Sequence, residues 1–228
     1  PKIEYVAVQT YNGYTGEKMT VVLAKALLYT HFNKKAEGLS LEDYKPGDKL
    51  VPFKVVGEYK GPDLVGMEYE QLMPWVKPVE LDEETGTWKD ASSKAFRVIS
   101  GDYVTTEDGT GIVHIAPTFG ADDAFVAKAA GIPSLFMINK KGETRPMVDL
   151  TGKFYLLDEL DEKFVSECVD VDAYKEYQGR WVKNAYDPRF TVAGKYDEKA
   201  AQAAETLDIY ICMKMKQNNQ AFKIEKHV

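Results

Sequence analysis

The chain has little with which to cross-link itself or to hold a metal. Its 228 residues include two cysteines, Cys168 and Cys212, far apart and neither in a CxxC pattern. A disulfide framework or a cysteine zinc site is thereby excluded, and both are expected to be free thiols in a reducing compartment. The three histidines, His31, His114 and His227, are scattered without metal-ligand spacing, which sets aside a metal-dependent hydrolase. No apolar run reaches the length of a membrane span, and the start lacks the pattern of a signal peptide. An excess of positive charge is also missing. The formal net charge of −7 argues against a surface built to wrap nucleic acid in general, although it permits one local basic patch. Internal repeats and low-complexity tracts are absent from the sequence.

What is present is ordinary for a globular chain. Hydrophobic residues make up 44% and charged residues 29%, enough for a real core in one large domain or two small ones. Strands are predicted at Ile3–Thr10 and Met19–Leu23 around an Asn12-Gly13 turn, then a short helix over Ala24–Phe32. His31 near the end of that helix suits its dipole and is taken as structural. Phe53–Tyr59 is strand-like, and Leu64–Glu70 is expected as a strand or extended segment. Pro74 and Pro78 exclude a helix there, and Trp75 between them is assigned to core packing. Glu80–Ser92 is polar and acidic, an expected exposed loop; Phe96–Ile99 and Leu135–Asn139 are strand-like.

Further on, Lys140, Lys141 and Arg145 form a compact basic cluster at a turn. It is either a solvated turn or a phosphate contact. Leu156–Gln178 holds one or two short helices. Arg180, Lys183 and Arg189 surround Trp181 and Tyr186, an arrangement equally compatible with a packed loop and with single-stranded nucleic acid. Tyr196–Met215 has the longest helical stripe, a core face, and Phe222–Glu225 is expected as an outgoing strand. Strands and helices without regular alternation give an α+β class.

The densest chemistry lies in Gly109–Asp123, Gly-Thr-Gly-Ile-Val-His-Ile-Ala-Pro-Thr-Phe-Gly-Ala-Asp-Asp. Alternation predicts a short strand over Ile112–Ala116, with His114 on the face of Ile112 and Ala116. Two readings are open for His114: a half-buried histidine bonded to a carbonyl, or a pocket-wall group that meets a substrate or a water. Helical spacing runs from Asp122 to Ala130, stopped by Gly131 and Pro133. One of the adjacent aspartates can cap the helix. The other is left as an ionised carboxylate, suited to a cation such as an α-ammonium. Strand, bent loop and helix start together make a wall for a small-molecule pocket.

This stretch resembles the signature of the editing domain inserted into class I isoleucyl-tRNA synthetases. His114 and Phe119-Gly120 favour the isoleucyl branch over the valyl and leucyl enzymes. The resemblance extends to Lys60-Gly61-Pro62-Asp63-Leu64-Val65-Gly66-Met67-Glu68-Tyr69-Glu70 and across nearly the whole chain. The part after Lys140 is similar to the form found in eukaryotes and some bacteria. The resemblance implies a β-barrel-like core with peripheral helices, a single editing domain over 1–228, and a family-specific helical extension with the return strand in 141–228. It implies that Asp123 holds the α-ammonium of a mischarged amino acid and that His114 lines the same pocket near the ester. Gly109, Thr110, Gly111, Ala116, Pro117 and Phe119 are the accompanying substrate-binding candidates.

The implied reaction is hydrolysis of the ester of valyl-tRNA(Ile). No cofactor is implied for this domain, ATP and Mg belonging to the parent enzyme. The expected partners are the charged tRNA 3′ end and the parent catalytic core, with no membrane, in a monomeric fragment located in the cytoplasm. The family also uses a threonine-rich strand that has no counterpart here. It would precede Pro1, so the chain is expected to be an excised fragment. That absence keeps a second expectation alive, a fragment that binds tRNA or aminoacyl-adenosine without turnover. A free-standing deacylase is disfavoured by the start at Pro1 without Met.

Overall fold

The computed structural model describes residues 2–225, so the expectations placed on Pro1 and His227 fall outside the described residues. The chain forms two compact units. The first comprises residues 1–68, 97–114 and 212–228; the second comprises 69–96 and 115–211.

The first unit is built on β1 (Glu4–Tyr11), β2 (Lys18–Ala24) and β3 (Phe53–Lys60), an antiparallel sheet in the order β2-β1-β3. β1 is central and its Tyr5–Val8 run is buried without alternation, as a strand covered on both faces must be. Val6 faces Leu23, and Val8 faces Val21 and Val55. A bulge between Ala7 and Val8 leaves Val56 out of the β1 register, and Val56 is exposed. α1 (Leu28–His31) follows a short 3-10 turn, and its Leu28, with Leu27 and Phe32, packs on Tyr5, Leu23 and Phe53. Each such side chain contributes roughly 1.5–3 kcal/mol on burial. α2 (Gly61–Leu64) is a single turn started by Pro62, and Asp63 accepts the Lys60 N–H at 2.7 Å.

The second unit contains β4 (Val79–Asp82) and β5 (Thr87–Asp90), α3 (Ala121–Ala129), β6 (Met137–Ile138) and β7 (Thr144–Arg145), α4 (Glu162–Cys168), α5 (Val171–Tyr174), β8 (Thr191–Val192) and β9 (Lys195–Tyr196), and α6 (Glu198–Ala203). α7 (Leu207–Gln217) crosses from this unit into the first at Cys212. An aromatic stack centres the core: Trp75 lies on Tyr177 with centroids 3.7 Å apart, and Phe154 meets Trp75 edge-on. Tyr174 is fully buried, and its hydroxyl donates to the Tyr155 carbonyl at 2.7 Å; burial pushes its pKa up.

The α+β class holds, and Trp75 is a core residue as expected. A barrel-like core is not found: the largest sheet has three strands, the others are two-stranded hairpins, and none closes among the described residues. The acidic stretch Glu80–Ser92 is a hairpin rather than a loop, because Asp82–Lys89 and Glu80–Lys94 ion pairs tie its flanks. The long helix expected over Tyr196–Met215 is broken between α6 and α7. Asp197 caps α6 by accepting the Ala200 N–H, and Ala204 leaves the helical region. Phe222–Glu225 and Phe96–Ile99 form no regular strand; the latter contributes one bridge, Arg97 to Glu68. Both cysteines are free thiols. Among the described residues no helix is long and apolar enough to cross a membrane.

Candidate functional site

The Gly109–Asp123 stretch divides between the two units after His114. In the first unit its glycine turn is tied to the sheet. The Ala24 N–H donates to the Thr110 carbonyl at 2.8 Å, and the Tyr5 hydroxyl donates to the Gly111 carbonyl at 2.7 Å. His31, in the last turn of α1, donates from Nε2 to the Gly109 carbonyl at 2.6 Å. Gly111 has φ +74°, and a Cβ there would stand 2.5 Å from the Ala24 Cβ. Only glycine fits so close to a buried strand residue in a left-handed conformation. The Thr110 hydroxyl donates to the Ile112 carbonyl at 3.3 Å. Three anchors from elements far away in sequence thus fix the start of the motif. Tyr5 and His31 carried no local sign of this, since they lie 106 and 78 residues from their partners.

The predicted strand over Ile112–Ala116 is not formed. Val113–Ile115 make no backbone hydrogen bond among the described residues, and without a ladder partner the alternation has no sheet to express it. His114 is exposed rather than half-buried. Its side chain makes no hydrogen bond among the described residues.

In the second unit Ala116, Pro117 and Phe119 belong to a tight turn leading into α3. The Phe119 and Gly120 N–H groups both donate to the Ala116 carbonyl, at 3.0 and 3.1 Å. The Thr118 hydroxyl donates to the Leu135 carbonyl at 2.8 Å. The helix cap is Gly120, and neither aspartate caps it. Asp123 turns back instead: its Oδ2 accepts the Ala116 N–H at 2.9 Å and clasps the turn to the first turn of α3. Its Oδ1 makes no hydrogen bond among the described residues. Asp122 points to solvent. Both carboxylates lie in the first turn of α3, at the positive end of its dipole. α3 ends in a Schellman motif, with Ile132 N–H on the Ala127 carbonyl at 2.9 Å and Gly131 N–H on Lys128 at 3.2 Å.

An open cavity of about 370 Å³ lies at the far end of α3 against Gly131–Ser134, Lys128 and Glu80. In the Arg180–Trp181–Arg189 group the first two side chains are half-buried and Arg189 is exposed. Arg180 covers the Tyr210 ring at 4.2 Å, and Arg189 Nε donates to the buried Asp187 carboxylate at 2.7 Å.

The chain is 82% identical over 228 residues, its whole length, to an isoleucine–tRNA ligase of Bacteroides thetaiotaomicron, of which it spans 19%. It is 69% identical over its whole length to one of Bacteroides fragilis, spanning 18%. It is 51% identical over 227 residues to one of Porphyromonas gingivalis, again spanning 18%. No family model matches the chain. Matched from end to end by one segment of these longer enzymes, the chain belongs to the isoleucine–tRNA ligase family.

Proposed function

We propose that this chain is the post-transfer editing unit of an isoleucine–tRNA ligase, hydrolysing the ester of valyl-tRNA(Ile). The observation that carries the proposal is Asp123. One of its oxygens is committed to the Ala116 N–H at 2.9 Å, which fixes the carboxylate's direction. The other is left to accept a cation, as the α-ammonium of an aminoacyl ester requires. The ester is activated enough for a bound water to attack its carbonyl carbon. The acyl–oxygen bond then breaks, releasing valine and restoring the ribose hydroxyl. No covalent nucleophile is needed, and positioning supplies the acceleration. The resemblance gives His114 the ester or the water to orient, and gives Gly109, Thr110, Gly111, Ala116, Pro117 and Phe119 as substrate contacts. The partners are the charged 3′ end of tRNA(Ile) and the parent synthetase. A second site is needed because one missing methylene gives an apolar pocket limited discrimination; isoleucine against valine is itself the usual illustration of that limit.

The test is release of valine from valyl-tRNA(Ile), with isoleucyl-tRNA(Ile) as control. Asp123→Asn keeps an acceptor for Ala116 while removing the charge. A charge-assisted bond of about 1.5–3 kcal/mol corresponds to a loss of roughly 10- to 150-fold in kcat/KM. Unchanged hydrolysis in Asp123→Asn would refute the assignment. A second reading, binding of the RNA end without turnover, is favoured by one observation: the exposed, unpaired backbone around His114. Tight binding with no valine release would select it.

A further inference from the structure

One face of α3 is not used by the reaction proposed above. Phe125 is 77% exposed, more than any other aromatic side chain among the described residues, and Phe119 just before the helix is 64% exposed. The helix is seated by Ala127 on its other side, so packing gives no reason for a phenyl ring at 125. Asp122, Phe125 and Lys128 follow at intervals of three, share that face and are all exposed. Lys128 makes no ion pair among the described residues, and it borders the open cavity of about 370 Å³. Glu80, also at that cavity, is engaged by Lys94 at 2.5 Å, so the lysine's charge is the one left uncompensated there.

We infer that this face binds an unpaired nucleotide of an RNA, with Phe125 stacking on the base and Lys128 meeting the adjoining phosphate at the cavity. The inference rests on the reading that the chain handles an RNA 3′ end. An ester whose ammonium sits at Asp123 is attached to a ribose, and the strand behind that ribose must leave over a neighbouring surface. Phe125 and Lys128 lie within the next two turns of the same helix. An aromatic face flanked by a cation matches a base and its phosphate. A protein partner would call for continued apolar surface, whereas the neighbours of Phe125 along this face are Asp122 and Lys128.

The experiment measures binding of the full chain to a short 5′-labelled single-stranded RNA with a free 3′ adenosine, by fluorescence anisotropy over a salt series. Phe125→Ala is expected to weaken binding about 5- to 150-fold, Phe125→Leu to do the same, and Phe125→Trp to preserve it. Lys128→Gln is expected to lower the slope of log K against log salt by about 0.7. The inference is overturned if Phe125→Ala binds as the parent chain does. It is overturned equally if leucine serves as well as phenylalanine, the mark of a protein contact, or if the parent chain does not bind the RNA. Valine release assayed in parallel separates the two claims. Asp123-dependent hydrolysis with RNA binding indifferent to Phe125 sinks this inference alone. Phe125-dependent binding in a chain that releases no valine sinks the editing reading alone.

Discussion

Substituting alanine at two glycines of one motif tests how its first turn is held. Gly109 and Gly111 both have positive φ, +63° and +74°. An L-residue in that region costs roughly 1–2 kcal/mol. At Gly109 a Cβ meets nothing within 4 Å, so Gly109→Ala is expected to cost only this conformational penalty. At Gly111 the new Cβ would stand 2.5 Å from the Cβ of Ala24, which is fully buried in β2 and cannot swing away. The turn must move instead, against the Tyr5–Gly111 and Ala24–Thr110 hydrogen bonds. Forcing a methyl into packed surroundings adds about 1–3 kcal/mol. The total for Gly111→Ala is about 2–5 kcal/mol. Alanine also stiffens the unfolded chain by about 0.4–1 kcal/mol in both variants, so their difference is the cleaner quantity. At about 2–4 °C per kcal/mol for a chain of this size, Gly111→Ala should melt about 2–12 °C below Gly109→Ala. Thermal unfolding followed by circular dichroism reads this directly. Equal melting temperatures would refute the close approach to Ala24, and with it the anchoring of the motif on β2.

Other perturbations probe the remaining anchors. Asn12 is fully buried, donating to Asn219 Oδ1 at 2.8 Å and the Ala221 carbonyl at 3.1 Å while accepting the Tyr14 N–H. Asn12→Ala should cost about 2–4 kcal/mol in a urea titration by orphaning these groups; a loss below 0.5 would contradict it. Asp187 is held below the usual carboxylate range chiefly by its hydrogen bond to Arg189, with burial opposing. Its folded pKa lies below its unfolded value near 3.9, so its contribution is present above about pH 5 and is lost as pH falls through the folded value. Asp187→Asn should therefore flatten the acid limb of a stability–pH curve, and an unchanged limb counts against the pair. His31→Ala removes the Nε2 bond to Gly109 and should speed amide exchange at Ala24, whose N–H donates to the Thr110 carbonyl, while unaltered protection would show that the other two anchors suffice.

The first sheet was legible because its strands carry their own signals: Tyr5–Val8 is a buried run, and Asn12-Gly13 marks the return. The end of α3 was equally plain, since Gly131 closes a Schellman motif that depends only on neighbours. Local polarity misled at Glu80–Ser92, where acidic residues read as loop are half of a set of ion pairs with Lys89 and Lys94. Helical spacing misled at Tyr196–Met215, because periodicity carries on past a break that the backbone makes at Ala204. Within the motif, adjacency of Asp122 and Asp123 signalled two roles, but not that Asp123 turns back to Ala116 while Gly120 takes the cap.

The sequence by itself determined the family, the motif and the α+β class, because residue order and short-range periodicity carry those. It singled out too one glycine-flanked turn and one carboxylate pair as the candidate site. Only the tertiary structure decided what holds them. Tyr5, Ala24 and His31 reach the glycine turn across most of a hundred residues, and contacts at that separation leave no local trace. It also decided which side chains face water. Exposure of His114 and Phe125 depends on what packs around each position, and an apolar residue in sequence is compatible with either outcome.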